Sequence, residues 1–295
     1  MRPWIALVAA AVVLIAGDVS AQRTVPVVVS IEPAAPAQGT LFTVQVVAPA
    51  ESGVIHVSGQ FSGEPLHFET VAPGVMRAIA GLPIDAGDIA ELPLAIARIG
   101  GDLEYLTVNV PVATGDYRLE RLTVAPRFGT PFDSATQARI RSEQARAAAV
   151  SRTAHDTPRL WSGTIVRPRD TRVTSGFGNG REFNGQVQSR HMGLDLAGPA
   201  GEPVVAAARG IVALVDSFYL AGNVVYLDHG AGLVTAYFHL SRHDVAQGDT
   251  VEAGQQIGLV GATGRVTGPH LHWVVRYGSI TVDPRSLLVL ADETR

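Results

Sequence analysis

Short β-branched runs, cut by glycine and proline at intervals of about a dozen residues, fill the chain from Val25 to about Ala125 and again from Leu160 onward. Nothing else in the sequence constrains the fold as strongly. Segments such as "LFTVQVV" (Leu41–Val47), "GVIHVSG" (Gly53–Gly59) and "LTVNVPV" (Leu106–Val112) alternate or run β-branched, and the turn residues between them read as strand connections. The first stretch predicts a β-sandwich of ~100 residues. The second is denser in glycine. Its units "VVAAARGIVALVDSF", "NVVYLDHGAGLVTAYFHL" and "VEAGQQIGLVGATG" predict a compact all-β module without a helix, with a hairpin turning at residues 229–232. The fold class expected is mainly β.

One segment breaks the rhythm. "PFDSATQARIRSEQARAAAV" is rich in alanine, arginine and glutamine, and Ser134 followed by Gln137 has the form of a capping box. This predicts a connecting helix running to Val150 and lying on a surface, with His155, beside Asp156 and Pro158, marking its end. The organisation expected is therefore a β-sandwich-like domain over 22–132, a connecting helix and linker over 133–159, and a second β domain over 160–295. Residues 1–21 read as a signal peptide: Arg2, an apolar stretch from Trp4 to Gly17, and Val19-Ser20-Ala21 as a cleavage site before Gln22. That apolar stretch falls short of the ~20 residues of a membrane span. The mature protein is expected to be exported, periplasmic or envelope-associated, with no stable membrane span.

Composition removes several chemistries. There is no cysteine, which excludes disulfides, thiolate zinc sites and cysteine nucleophiles. All 23 basic residues are arginine, so Schiff-base chemistry and lysine-tethered cofactors are absent. A net charge of −4 leaves no basic footprint for nucleic acid.

Polar residues cluster at "HMGLD" (His191–Asp195), "YFHL" (Tyr237–Leu240) and "PHLH" (Pro269–His272). On a strand, His270 and His272 share one face while Leu271 takes the other. Two solvated histidines on an edge strand would satisfy the same pattern. His191 and Asp195 would lie ~13 Å apart on a straight strand, too far to share an ion with bonds of ~2 Å. A bend at Gly193 would bring them together. With cysteine absent, histidine and aspartate are the natural donors for a hydrolytic metal, which needs about three protein ligands and one open position.

From about Arg172 to Leu287 the chain resembles the lysostaphin/LytM-type zinc endopeptidases of bacterial cell walls. The resemblance rests on "TSGFG", "HMGLDLAGPAGEPVVAAARGIV", "GNVVYLDHGAGLVTAYFHLS", "QGDTVEAGQQIGLVGATGRVTGPHLHW" and a closing "VDP". "RIRSE" and the preceding β-rich stretch look like the amino-terminal extension of a proteobacterial subgroup. The resemblance implies a zinc metallopeptidase domain over 160–295. In it His191, Asp195 and His272 would ligate Zn²⁺, and His239 and His270 would face the attacking water and the scissile carbonyl. It implies a peptidoglycan stem peptide as substrate, the D-Ala–diaminopimelate cross-link being preferred over a glycine bridge. Two positions depart from the family pattern: Gly180 stands where relatives often carry arginine, and Val274 where glutamate is common. Asn223 aligns with a family asparagine that shapes the groove or a turn. His56, His67, His229 and His243 read as structural or surface residues.

Two rival functions have sequence support. A catalytically inactive wall-binding regulator that activates amidases would share the fold but lack ligands, and all five matching positions are intact here. "QGDTVEAGQQIGLVG" also resembles the repeats of biotinyl and lipoyl carrier domains. Those need a modified lysine, and the chain has none.

Overall fold

The computed structural model describes residues 25–129, 131–163, 165–185 and 187–292. The expected signal peptide lies outside them. Contacts divide the chain between Thr114 and Gly115 into two compact units.

The first unit is built from two four-stranded sheets. One runs Val28–Glu32, Leu41–Val47, Val75–Gly81, Glu69–Ala72; the other runs Glu64–Pro65, Val54–Phe61, Ile89–Arg98, Leu103–Pro111. Period-two alternation decides what is buried: Leu92, Leu94 and Ile96 point inward from one strand, and Val108 and Val110 from its neighbour. Phe42 from one sheet meets Phe61 from the other edge to face, 5.0 Å between ring centroids. Apolar faces of this kind pack as the β-sandwich that the sequence predicts.

The second unit centres on an eight-stranded sheet. Its order is Val173–Ser175, Leu194–Ala197, His270–Tyr277, Leu233–Leu240, Gly222–Gly230, Gly210–Phe218, Thr250–Val251, with Ile280–Val282 paired to His270–Tyr277. The expected hairpin is present, but His229 and Gly230 belong to the strand. The turn is Ala231–Gly232, both at positive φ (51° and 82°), as a tight two-residue hairpin requires. A three-stranded sheet at the edge of the site comprises Val187–Arg190, Gly180–Phe183 and Leu119–Leu122, the last pairing in parallel with Gly180–Phe183. Residues just after the first unit thus contribute a strand to the second.

The helix Ser134–Thr153 is longer than expected and capped differently. Asp133, not Ser134, is the N-cap: its Oδ1 accepts from Thr136 N–H at 2.7 Å. Nor does the helix simply connect. Ala147, Val150 and Ala154 pack on Phe218, Val224, Tyr226, Val234, Ala236 and Val274 of the central sheet. Buried Glu143 fastens it there, accepting from Arg139 within the helix and from Tyr219 N–H on the sheet side. The expectation of no helix beyond Leu160 fails at Pro284–Asp292. Asp283 accepts from Arg285 N–H at 2.9 Å, Pro284 takes the first helical position, and Leu287 and Leu290 are buried.

Candidate metal centre

Strand register builds the site. Asp195 sits directly opposite His272, and Ser175 opposite Asp195, while Phe238 lies opposite His272 on its other side. Side chains opposite one another on a sheet face come within ~5 Å. One row across four strands therefore carries a hydroxyl, a carboxylate, an imidazole and an aromatic ring. The Phe238 ring stacks on His272 at 5.3 Å, tilted only 22°.

His191 enters from the bend that precedes the Leu194–Ala197 strand. Gly193 lies at that bend, yet its φ is not in the left-handed region; what matters is the missing side chain. A Cβ there would stand 2.6 Å from the His272 ring and 2.7 Å from the Trp273 carbonyl. Only glycine lets the loop lie flat enough for His191 to reach its partners. His191 Nε2 is then 3.0 Å from Asp195 Oδ1 and 2.9 Å from His272 Nδ1, and the last two are 2.7 Å apart. All three side chains are buried.

Two nitrogens and one oxygen converging this closely form the kind of donor set that zinc takes in catalytic sites. The protonation states suit it. Burial pushes His272 down to about 4, so it is neutral, as a ligand must be. Burial opposes charge on Asp195, but the His191 and His272 imidazoles in contact with it outweigh burial and hold the carboxyl well below its usual range.

A second ring of contacts fixes the donors. His191 Nδ1 lies 2.7 Å from the Gly176 carbonyl and so carries the proton, leaving Nε2 as the donor atom. Arg181 NH2 lies 2.6 Å from Asp195 Oδ2 and 2.9 Å from Ser175 Oγ. Glu120, on the Leu119–Leu122 strand, accepts from Ser175 Oγ at 2.8 Å, from Asn179 at 2.8 Å and from Arg181 at 3.3 Å. Sequence reading missed Glu120 and Arg181. Glu120 is 75 positions from Asp195 and outside every recognisable motif; Arg181 adjoins Gly180, where an arginine was looked for.

His239 and His270 stand beside this trio, their rings 5.0 Å apart. His270 Nε2 is 3.6 Å from Asp195 Oδ1, and its Nδ1 donates to the Gly268 carbonyl at 2.8 Å. His239 Nδ1 donates to the Thr263 carbonyl at 2.8 Å. In its neutral form each ring therefore leaves Nε2 as the free acceptor. His239 has φ 64°, a left-handed backbone that costs a non-glycine residue of order 1–3 kcal/mol and concentrates at functional sites. Burial, reinforced by His272 and His270, drives its pKa well below the usual value.

The other histidines lie elsewhere. Fully buried His229 donates through Nδ1 to the Arg209 carbonyl at 2.8 Å. Its Nε2 is 2.7 Å from Thr235 Oγ1, which is 2.9 Å from the Tyr237 hydroxyl. His56 is exposed, His67 and His243 are half-buried, and His155 packs edge-on against Tyr277 at 5.4 Å. Asn223 caps the Leu240 carbonyl at 2.9 Å.

Three protein donors with further imidazoles alongside, on one face of an antiparallel sheet, form a group that could hold a metal ion of the hydrolytic kind. Residues 189–284 match the model of peptidase family M23. Peptidoglycan DD-endopeptidase ShyC of Vibrio cholerae is 41% identical over 118 residues, covering 39% of this chain and 27% of its own length. DD-carboxypeptidase/endopeptidase Mpg of Neisseria meningitidis is 40% identical over 123 residues, covering 42% and 28%. The chain thus spans little more than a quarter of these relatives' length. The crystal structure of a Pseudomonas aeruginosa chain assigned to peptidase M23 matches 86% of this chain and 95% of its own, at 28% identity and a TM-score of 0.65.

Proposed function

We propose that the protein is a zinc-dependent endopeptidase that hydrolyses peptide cross-links of bacterial peptidoglycan, preferring the D-Ala–diaminopimelate bond. We propose also that it acts in the cell envelope after removal of residues 1–21. The observation that carries the reading is the convergence of His191, Asp195 and His272 beside two imidazoles with free Nε2 atoms. It is supported by the names of two relatives, peptidoglycan DD-endopeptidase ShyC and DD-carboxypeptidase/endopeptidase Mpg.

His191 Nε2, Asp195 Oδ1 and His272 Nδ1 would hold the ion. Zinc, when bound, supplies Lewis-acid polarisation of the amide and an acidified water. The remaining steps fall to the chain. The Nε2 of one of His239 and His270 accepts the proton of the attacking water; once protonated, an imidazole can donate to the oxyanion or to the departing amine. Thr263 and Gly268 hold the two rings in the required tautomer through their carbonyls. The row of Ser175, Glu120 and Arg181 keeps Asp195 and His191 aimed at the centre.

Digestion of purified sacculi by the zinc-loaded protein, read by mass spectrometry, tests this. Monomeric muropeptides ending at D-Ala are expected. Unchanged cross-linking, with zinc bound, would remove the proposal.

A further inference from the structure

A cleft of about 680 Å³ opens beside the metal centre, and Asp195 and His270 both line it. Its walls carry four guanidinium groups, Arg121, Arg172, Arg181 and Arg265, against two carboxylates, Glu120 and Asp195. Arg181 engages both carboxylates, and Arg121 pairs with Glu182. Among the described residues Arg172 and Arg265 have no acidic partner. Arg172 is exposed, where water serves it. Arg265 is half-buried, its guanidinium 4.1 Å from the centroid of the Phe183 ring. Burial and then the Arg181 charge bring it down to about 10, so it stays charged at neutral pH and meets no counter-charge. A partly desolvated, planar cation left without an anion is costly unless a ligand supplies one.

The opposite side of His272 differs. There a pocket of about 400 Å³ is lined mainly by Ala147, Ala148, Met192, Tyr226, Phe238 and Val274, with Gln144, Arg276 and Thr281 also on its wall and the Ser134–Thr153 helix along one side. One side of the centre carries four guanidinium groups, whereas the other carries one, Arg276, among mainly apolar side chains.

We infer that Arg265 is a substrate-binding residue that takes a carboxylate on the amine side of the scissile amide, while the apolar pocket takes a small alkyl side chain on the acyl side. The inference rests on the endopeptidase reading of the same site and names what it recognises. A D-Ala–diaminopimelate link has these two features: a methyl group before the scissile carbonyl and a carboxylate on the carbon bearing the scissile nitrogen. A glycine bridge has neither. Guanidinium binds carboxylate by two parallel hydrogen bonds, which fixes direction as well as affinity.

The test uses the full chain loaded with zinc, and two synthetic cross-linked peptides that differ only in that carboxylate, free or amidated. Binding is measured by calorimetry and turnover by chromatography, for the wild type, Arg265→Gln and Arg265→Lys. The wild type is expected to bind and cleave the free acid at least about 10-fold better than the amide, a typical worth for one charged hydrogen bond. Arg265→Gln should lose that preference through KM, with unchanged zinc content. Arg265→Lys should recover part of it. Equal handling of the two peptides by the wild type, or an undiminished preference in Arg265→Gln, overturns the subsite. Carboxylate-dependent binding without cleavage of either peptide upholds the subsite and overturns the endopeptidase reading instead.

Discussion

The two units are made of the same material and treat polar groups in opposite ways. In the first, the buried polar groups among the described residues are Thr43, Ser52 and Arg98, and Arg98 is answered by the Ser52 carbonyl and Glu104. Its interior is otherwise aliphatic and aromatic. The second unit buries His191, Asp195, His229, His239 and His272 among others. Burying an ionisable group costs several kcal/mol unless it is paired, and every such group beyond need marks a place where stability was given up. A β-scaffold packed like the first unit is the low-cost solution. Of these departures His191, Asp195, His239 and His272 outline the site, and even the strained backbone of His239 falls there.

That contrast can be broken experimentally. The largest effect is expected from His272→Ala, which removes one of three donors. Zinc should fall from about one per chain to near none, and hydrolysis should fall to background. Elemental analysis and sacculus digestion read both; a variant that keeps its zinc would refute the ligand set. Among its described residues the first unit holds no such donor group, so spectroscopic probes confined to it should report the same unfolding with and without metal.

His270→Ala should separate holding the metal from using it. Zinc should remain while turnover drops ~10²–10⁴-fold, the usual worth of a proton-transfer group. His239→Ala should behave alike. Loss of zinc in His270→Ala would mean that this residue, and not His272, binds the ion.

His229 offers a test away from the chemistry. Burial pushes it down to about 4, against 6.5 in an unfolded chain. The unfolded state therefore binds the proton first. The second unit should be unaffected above pH 6.5 and lose about 3 kcal/mol as pH falls from 6.5 towards 4. Urea unfolding of the wild type and His229→Gln across that window measures the difference in slope. Parallel profiles would show that the ring does not stay neutral when folded. The first unit buries no histidine among the described residues and should lack this step.

The smallest effect sharpens the boundary of the site. Arg181→Gln leaves Asp195 without its guanidinium partner and should weaken zinc binding ~10–100-fold, as loss of a contact behind a ligand does. Competition with a chelator reads it. An unchanged affinity would confine the site to its three donors.

Strand rhythm made the two β regions legible, because side-chain period and turn chemistry are local properties of the chain. The same period placed His270 and His272 on one face, and Gly193 marked the bend that frees His191. The Asp-Pro start of the Pro284–Asp292 helix is written in the chain as well, within the closing "VDP", but the stretch reads as part of an all-β module. What the sequence determined by itself was the strands, their faces and the donor types. Tertiary structure alone decided which faces meet. Asp195 and His272 are 77 positions apart and touch only because their strands pair in one register. Glu120 reaches the centre because Leu119–Leu122 joins a sheet edge in parallel. The Ser134–Thr153 helix looked solvent-bound because alanine faces are weakly apolar, yet their small size lets it lie close against the sheet and wall the site. Local pattern encodes which side a residue faces, whereas neighbours across strands are set by the packing of the whole core.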